Sequence, residues 1–324
     1  MLTLGTRVPL ATWPTPVEPA PRLARALGLQ PDDLLVKRDD LTGLGGGGNK
    51  VRKLEWTVGA ALDRGAHTLV TAGAPQSNHA RLTAAAAART GLAAVLVFPG
   101  YPDDAPAAGN LVLDALLGAR IVWAGDVDHD GLIATAATVA AAPGHALVPF
   151  GGSSPTGALG YREAGFELRD QISDLDTVVV ALGSGGTMAG LVSALGPASV
   201  LGVDSGAVDD PHDVVAGLLD ELPAPAGGGE LRIRRDQVGD GYATQTDAVA
   251  RAMLLAARTE GLVLDPVYTG RALAGLVAAL ADGTIRPGRR TVLLHSGGLP
   301  GLFGHPRALV RAAASGPGCP APTL

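Results

Sequence analysis

The sequence predicts a two-domain α/β protein with parallel, twisted sheets covered by helices on both faces. Three observations carry that expectation. Short apolar runs of β type alternate with Ala- and Leu-rich helical stretches, the pattern of parallel strands buried on both sides. Hydrophobic residues make up 47% of the chain but aromatics only 3%, so the core is Ala, Val and Leu, which suits helices packed on sheets. The chain has 324 residues, and ~100–200 residues per domain predicts two domains.

In chain order, "DDLLVKRDD" (32–40), "HTLVTAG" (67–73), "LAAVLVFPG" (92–100), "ARIVWAG" (119–125) and "HALVPFGG" (145–152) read as strands. So do "DTVVVALGSGG" (176–186), "SVLGVDSG" (199–206) and "RTVLLHSGG" (290–298). Many end in Gly, as a chain turning toward a helix N-terminus does. Helices are expected from Lys50, over "RLTAAAAARTGL" (81–92) and over "TDAVARAMLLAARTEG" (246–261). "PAPAGGGELRIRR" (223–235) predicts a loop or short insertion with "RIRR" as a solvated face, and the wider 205–235 stretch has no assigned role. From about residue 313 the Pro/Gly-rich composition predicts a frayed end. No internal repeat stands out.

Composition excludes several function classes. A net charge of −6 argues against nucleic-acid binding, which needs a basic face. One cysteine, Cys319, permits neither a disulfide framework nor a cysteine metal site, and the seven histidines show no metal-ligand spacing. "MLTLGTRVPL" lacks the features of a signal peptide, and no apolar run approaches the ~18 residues of a membrane span. A soluble cytoplasmic protein is expected. No G-x-S-x-G occurs, so a hydrolase nucleophile is unsupported.

The stretch "GLGGGGNKVRKLEW" (43–56) carries the sharpest chemical signal. Of 25 Lys and Arg residues only Lys37, Lys50 and Lys53 are lysine. A compositional bias explains the arginines but not why the lysines cluster. Lysine can lose its proton and form a Schiff base, which arginine cannot. Glycines 45–48 let the backbone approach a ligand, and Asn49 is a good N-cap. On the following helix Val51, Leu54, Val58 and Leu62 form an apolar stripe, with Lys50 at its edge and Arg52 pointing away. Burial and the positive helix end both lower a lysine pKa, and Lys53 is placed to meet an anion. The blander alternative is a glycine loop before a solvated helix. A P-loop is excluded, because no Gly-Lys dipeptide occurs.

"TVVVALGSGGTMAGLVSAL" (177–195) reads as a buried strand, a loop Gly183-Ser184-Gly185-Gly186-Thr187 and a helix, which make an anion cradle. A phosphate is the favoured guest. A dinucleotide fold stays open through Asp204, but Met188 breaks its glycine fingerprint. In "TAGAPQSNHARLT" (71–83), Gln76, Ser77, Asn78 and His79 sit at a helix start, where carboxylates bind, or merely form a capping turn on Ser77. "LLHSGG" puts Ser296 at a strand end, and "LDPVYTG" puts Tyr268 and Thr269 just after a strand.

Six motifs in fixed order span nearly the whole chain: "GGGGNKVRKLE", "QSNHARLTAAAAARTGL", "GGSSPTGALGY" (151–161), "GSGGT", "EGLVLDPVYTGRALAGL" and "LLHSGGLPGLFG". Together they resemble the pyridoxal-phosphate enzymes grouped as D-cysteine desulfhydrase and 1-aminocyclopropane-1-carboxylate deaminase, of the tryptophan-synthase-β-like fold. The resemblance implies that Lys50 holds pyridoxal phosphate covalently, Asn78 meets its ring hydroxyl, and Gly183 to Thr187 with Lys53 hold its phosphate. Ser77 and His79 would face the substrate, with Tyr242 and Tyr268 beside the reacting carbons. It also implies a small domain over 55–159, a large one from 1–54 and 160–324, a cofactor cleft between them, and a homodimer. Cyclopropane deaminases carry an acid directly after the Tyr, whereas Thr269 stands here, as in the desulfhydrases, and leaves Ser296 to meet the ring nitrogen. The resemblance therefore implies a β-eliminating lyase with Lys50, Ser77 and Tyr268 as catalytic residues and D-cysteine as the favoured substrate. Cyclopropane deamination and elimination from other amino acids such as cysteate or β-chloroalanine remain open, as do a dinucleotide oxidoreductase and a binding domain without turnover.

Overall fold

The computed structural model describes residues 5–105, 107–224 and 227–315. In chain order its strands and helices are β1 (Val17–Pro19), α1 (Pro21–Ala26), β2 (Leu34–Lys37), α2 (Lys50–Asp63), β3 (Thr68–Ala72), α3 (Asn78–Thr90), β4 (Ala93–Phe98) and α4 (Asn110–Leu116). Then come β5 (Arg120–Trp123), α5 (His129–Ala140), β6 (His145–Leu147), α6 (Pro155–Gln171), β7 (Leu175–Leu182), α7 (Gly186–Leu195), β8 (Val200–Asp204) and α8 (Pro211–Asp220). The chain closes with β9 (Arg232–Arg234), α9 (Asp247–Glu260), α10 (Thr269–Ala281), β10 (Arg290–Leu294), α11 (Leu299–Phe303) and α12 (Pro306–Ala314).

The strands form a six-stranded sheet, in the order β1-β2-β10-β7-β8-β9, and a four-stranded sheet, β5-β4-β3-β6. Every pairing is parallel except β1 with β2. The period-2 alternation of a strand decides which core each residue enters. On β7, Val179 and Ala181 pack with α9 and α10, while Val178, Val180 and Leu182 pack with α6 and α7. In the smaller sheet Leu69, Leu96 and Phe98 face α2 and α3, while Val70, Ala72, Val95 and Val97 face α5. Helix α2 serves both cores: Val51, Leu54 and Val58 join that of the small sheet, and Trp56 packs against that of the large one. A Cβ on Gly160 would sit 2.2 Å from the Arg52 carbonyl, so α6 rests directly on the α2 backbone.

The structure corrects the sequence reading at several places. "RIRR" is an edge strand, β9, parallel to β8; its alternate Ile233 packs inward, and Arg234 pairs with Asp236 and Asp282. Within 205–235 there is also α8. No strand precedes Tyr268, because residues 261–266 are irregular. Arg52, expected to point away from the apolar stripe, is nevertheless buried, held by Asp39 and Glu167, and Leu62 of that stripe is 37% exposed. The Asn49 side chain caps nothing in α2; its Nδ2 donates instead to Thr187 Oγ1 at 3.1 Å. α12 is helical to Ala314, beyond the start of the expected frayed end, and Cys319 lies outside the described residues. Among the described residues no helix is long and apolar enough to cross a membrane, and no His, Cys, Asp and Glu cluster could hold a metal.

Candidate active site

A cavity lies at the C-terminal ends of β7 and β10, where the starts of α2, α3, α7 and α10 converge. Lys50, Lys53, Ser77, Asn78, His79, Gly183, Ser184, Gly185, Thr187, Tyr242, Tyr268 and Ser296 all line it. Gly186 and Thr269 do not. The Gly186 N–H is turned to Ser153 Oγ at 3.0 Å, and Thr269 is buried against Asp265.

The glycines before Lys50 are demanded by close packing. Gly47 has φ of +73°, and a Cβ there would lie 2.1 Å from the Asp40 carbonyl oxygen. A Cβ on Gly297 would meet Gly48 Cα at 2.8 Å, so two glycine loops touch back to back. The Asn49 N–H donates to the Ser296 carbonyl at 2.9 Å across the same contact. From the other side Arg81, wholly buried in α3, donates through Nη1 to the carbonyls of Gly45 and Gly47 at 2.5 and 2.9 Å.

This loop delivers Lys50 to the cavity. Burial lowers its pKa to about 8, against an opposing hydrogen bond with Lys53. Lys53 is pushed well below the usual lysine value, by burial first and then by the Lys50 charge. Its Nζ donates to the Gly151 carbonyl at 3.2 Å and to Ser153 Oγ at 3.1 Å. Two amines in a buried pocket favour an anionic guest.

The loop after β7 offers a place for one. Gly185 has φ of +82°, and a Cβ there would press to 2.8 Å from Val214 on α8. The first N–H groups of α7 have no acceptor within the helix, so they face outward with the positive helix end. Ser184 lines the floor, 2.8 Å from Ser153 through their hydroxyls.

Ser77 N-caps α3, its Oγ accepting from the Ala80 N–H at 3.2 Å. Asn78 Oδ1 accepts from Arg81 Nη2 at 3.3 Å and Asn110 Nδ2 at 3.0 Å, which leaves its own NH2 to donate into the cavity. The Thr71 hydroxyl gives its proton to the Val148 carbonyl at 2.8 Å, so it accepts from His79 Nε2–H at 3.0 Å. Burial, and then Lys50 and Lys53, push His79 well below its ordinary pKa, so it is neutral.

On the opposite wall the hydroxyls of Tyr242 and Tyr268 hydrogen-bond to each other. Burial raises both pKa values, so the pair keeps its protons at neutral pH. Arg271 holds the two tyrosines in register. It sits one turn after Tyr268 on α10, wholly buried, and donates through Nη1 to the Ser205 carbonyl and through Nη2 to those of Gly241 and Thr244, at 2.8 and 2.7 Å. Asp265 shapes the turn carrying Tyr268: Oδ2 accepts from the N–H groups of Val267 and Tyr268, and Oδ1 from the N–H and hydroxyl of Thr269. Asp204 is off the cavity, bonded to the Gly206 N–H at 2.8 Å and 3.3 Å from Arg235. Wholly buried there, it presents no acid to a ribose in the cavity.

Sequence reasoning missed Asp265, Arg81, Arg271 and Ser153. Asp265 had a readable signal, because an Asp three residues before a helix-opening Tyr-Thr pair is a capping pattern. The two arginines had none, since the backbone carbonyls that each of them gathers lie far away in sequence.

Known proteins similar to this chain identify its family. Residues 8–297 match the family described as pyridoxal-phosphate dependent enzyme. A Pyrococcus abyssi protein provisionally named as a 1-aminocyclopropane-1-carboxylate deaminase is 39% identical over 94% of each chain. A Salmonella paratyphi B protein named D-cysteine desulfhydrase is 38% identical over 94% of this chain and 97% of its own. A crystal structure titled as an ACC deaminase homologue superposes with a TM-score of 0.85 at 35% identity, over 95% of this chain and 96% of that one. The cavity suits the cofactor. It has a buried amine that deprotonates near neutral pH, a glycine-walled helix N-terminus fit for a phosphate, and a fixed amide donor. The two amines, the glycine cradle and the family match over 8–297 point the same way: the chain belongs to the pyridoxal-phosphate dependent enzymes, in the group of 1-aminocyclopropane-1-carboxylate deaminases and D-cysteine desulfhydrases, with the tryptophan-synthase-β-like fold.

Proposed function

We propose that this enzyme catalyses β-elimination from a β-substituted amino acid, with D-cysteine favoured over 1-aminocyclopropane-1-carboxylate as substrate and pyruvate, hydrogen sulfide and ammonia its products. The observation that carries the reading is the absence of a free acid among the described cavity residues. Among the described residues that line the cavity, Asp265 is the only carboxylate, and its oxygens already accept four hydrogen bonds. Thr269, where related cyclopropane deaminases carry an acid, spends its hydroxyl on Asp265. Pyridoxal phosphate, when bound, supplies an electron sink whose strength depends on a proton on its ring nitrogen. A hydroxyl such as that of Ser296 does not force that proton to stay, whereas a carboxylate does. A weak sink suits substrates that carry their own leaving group, and a cyclopropane has none.

In this reading Lys50 holds the cofactor covalently and, once displaced, takes the Cα proton as general base. Gly183–Gly185, Thr187 and the α7 N-terminus, with Lys53 beneath, hold the phosphate, and the Asn78 NH2 donates to the ring hydroxyl. Ser77 orients the substrate carboxylate, and neutral His79 lines the wall behind it. The Tyr242–Tyr268 pair supplies the proton for the departing sulfur. Residues 1–54 with 160–324 act as the large domain and 55–159 as the small one, in a cytoplasmic homodimer. Sedimentation tests the dimer.

Deamination of 1-aminocyclopropane-1-carboxylate is the second reading, supported by the names of the Pyrococcus relative and the structural neighbour. The test is the visible spectrum of wild type and Lys50→Ala, followed by oxoacid production from D-cysteine, L-cysteine and aminocyclopropane carboxylate. A yellow wild type that yields pyruvate from D-cysteine, with the band changed in Lys50→Ala, supports the proposal. Oxoacid from the cyclopropane alone refutes it in favour of the second reading.

A further inference from the structure

A second chamber adjoins the active-site cavity. Ala74, Asn78, Tyr242, Asp265 and Tyr268 line both spaces, so the tyrosine wall is where they meet. Beyond it the chamber has a volume of about 280 Å³. Its additional walls include Ala105, Leu111, Ala243 and Val267, all apolar. Its glycine floor cannot be filled by a side chain at Gly304, where a Cβ would lie 2.1 Å from Gln76 Oε1.

The polar groups around it are already engaged or uncharged. Gln76 accepts from the Asn110 N–H and donates to the Ala108 carbonyl, both at 2.9 Å. Asp265 is saturated by the turn it caps. His305 is half-buried, and burial lowers its pKa, so it adds no positive charge at neutral pH. Asp104 is exposed at the rim. An anionic group entering the chamber would lose water and find no positive charge among these residues, whereas an apolar group would gain. An apolar cavity of ~150 Å³ is enough to take benzene, and a single sulfur atom leaves this one mostly empty.

We propose that the chamber receives the β-substituent of the substrate, so that the enzyme eliminates neutral thiols from S-alkyl and S-aralkyl cysteines in preference to hydrogen sulfide from cysteine. This rests on the β-elimination reading. The Cα–H and Cβ–S bonds break, and the Cα–H electron pair forms the Cα–Cβ double bond. The sulfur leaves with its bonding pair and takes a proton, as free thiol. The enamine tautomerises to an imine, and water converts it to pyruvate and ammonia. No oxidant or reductant is needed.

The test uses the cofactor-loaded enzyme with the D and L forms of cysteine and S-benzylcysteine, following pyruvate and thiol. In parallel, calorimetry measures binding of 2-amino-5-phenylpentanoate, the carbon isostere that has no leaving group. Ala243→Leu and Ala105→Leu narrow the chamber from two sides and leave the residues of the cofactor cavity in place. The proposal expects KM for the S-benzyl substrate to be lower than for cysteine by about tenfold, the gain from burying one apolar group. It expects at least one leucine variant to lose that advantage and weaken the isostere, with cysteine turnover kept. It is overturned if the isostere does not bind wild type, or if both variants slow cysteine and S-benzylcysteine equally. Pyruvate from cysteine but none from the thioether defeats this inference alone. No oxoacid from either, in an enzyme that is yellow and binds the isostere, defeats the β-elimination reading beneath it.

Discussion

Lys50 should behave as a nucleophile tuned to neutral pH. Burial brings its pKa from 10.5 to about 8. At pH 7 a lysine of pKa 8 is ~9% neutral and one of 10.5 only ~0.03%, so the shift of 10.5 − 8 units supplies about 300 times more reactive amine. The assay is capture of pyridoxal, which lacks the phosphate and so reports the amine alone, by cofactor-free protein across pH 6–11. Borohydride reduction and peptide mapping locate the adduct. The adduct rate should climb to a half-maximum near pH 8 and level off above it. A rate still rising through pH 10 would refute the burial argument. The same shift has a stability consequence. The native state binds fewer protons than the unfolded chain between pH 8 and 10.5, so stability rises with pH across that window, and the cost of burying the ammonium is fully present below it. Lys50→Met should therefore stabilise the cofactor-free protein at pH 7 by up to about 3 kcal/mol and should have no such effect at pH 11.

Three further outcomes follow from the positioning groups. Arg271→Met strands the carbonyls of Ser205, Gly241 and Thr244, so urea unfolding should show a loss of about 3 kcal/mol, and Arg271→Lys should recover little because one ammonium cannot span three carbonyls. Gly47→Ala would drive a Cβ into the Asp40 carbonyl at positive φ, so equilibrium titration should show cofactor affinity falling by tenfold or more while far-UV circular dichroism is retained. Asp265→Asn replaces an acceptor oxygen by a donor that faces N–H groups, and thermal unfolding should register a cost of about 2 kcal/mol; an unchanged midpoint would mean that the turn at Tyr268 is held by other contacts.

Much of the local structure of this protein was legible in the chain. All eight strands marked by apolar runs formed, because short Val- and Leu-rich runs between turns suit a sheet covered by helices; β5 and β6, at the edges of the smaller sheet, are the less buried ones. The lysine pair, the "GSGGT" loop and Ser77 as a helix cap were readable because a helix start and its loop lie within a few residues of each other. What the chain alone could not decide was governed by distant partners. Arg52 points away from the apolar stripe on a helical wheel, but Asp39 and Glu167, from elsewhere in the chain, hold it inside. "RIRR" had the composition of a loop and became a strand because β8 offered an unpaired edge. Thr269 follows Tyr268 by one residue, yet a helix turns its neighbours by ~100°, and Asp265 claimed its hydroxyl while Tyr268 kept the cavity. The chamber beyond the tyrosines is the extreme case: Ala74, Ala105, Tyr242 and Gly304 carry no shared signal in sequence, and only the tertiary structure makes them walls of one space.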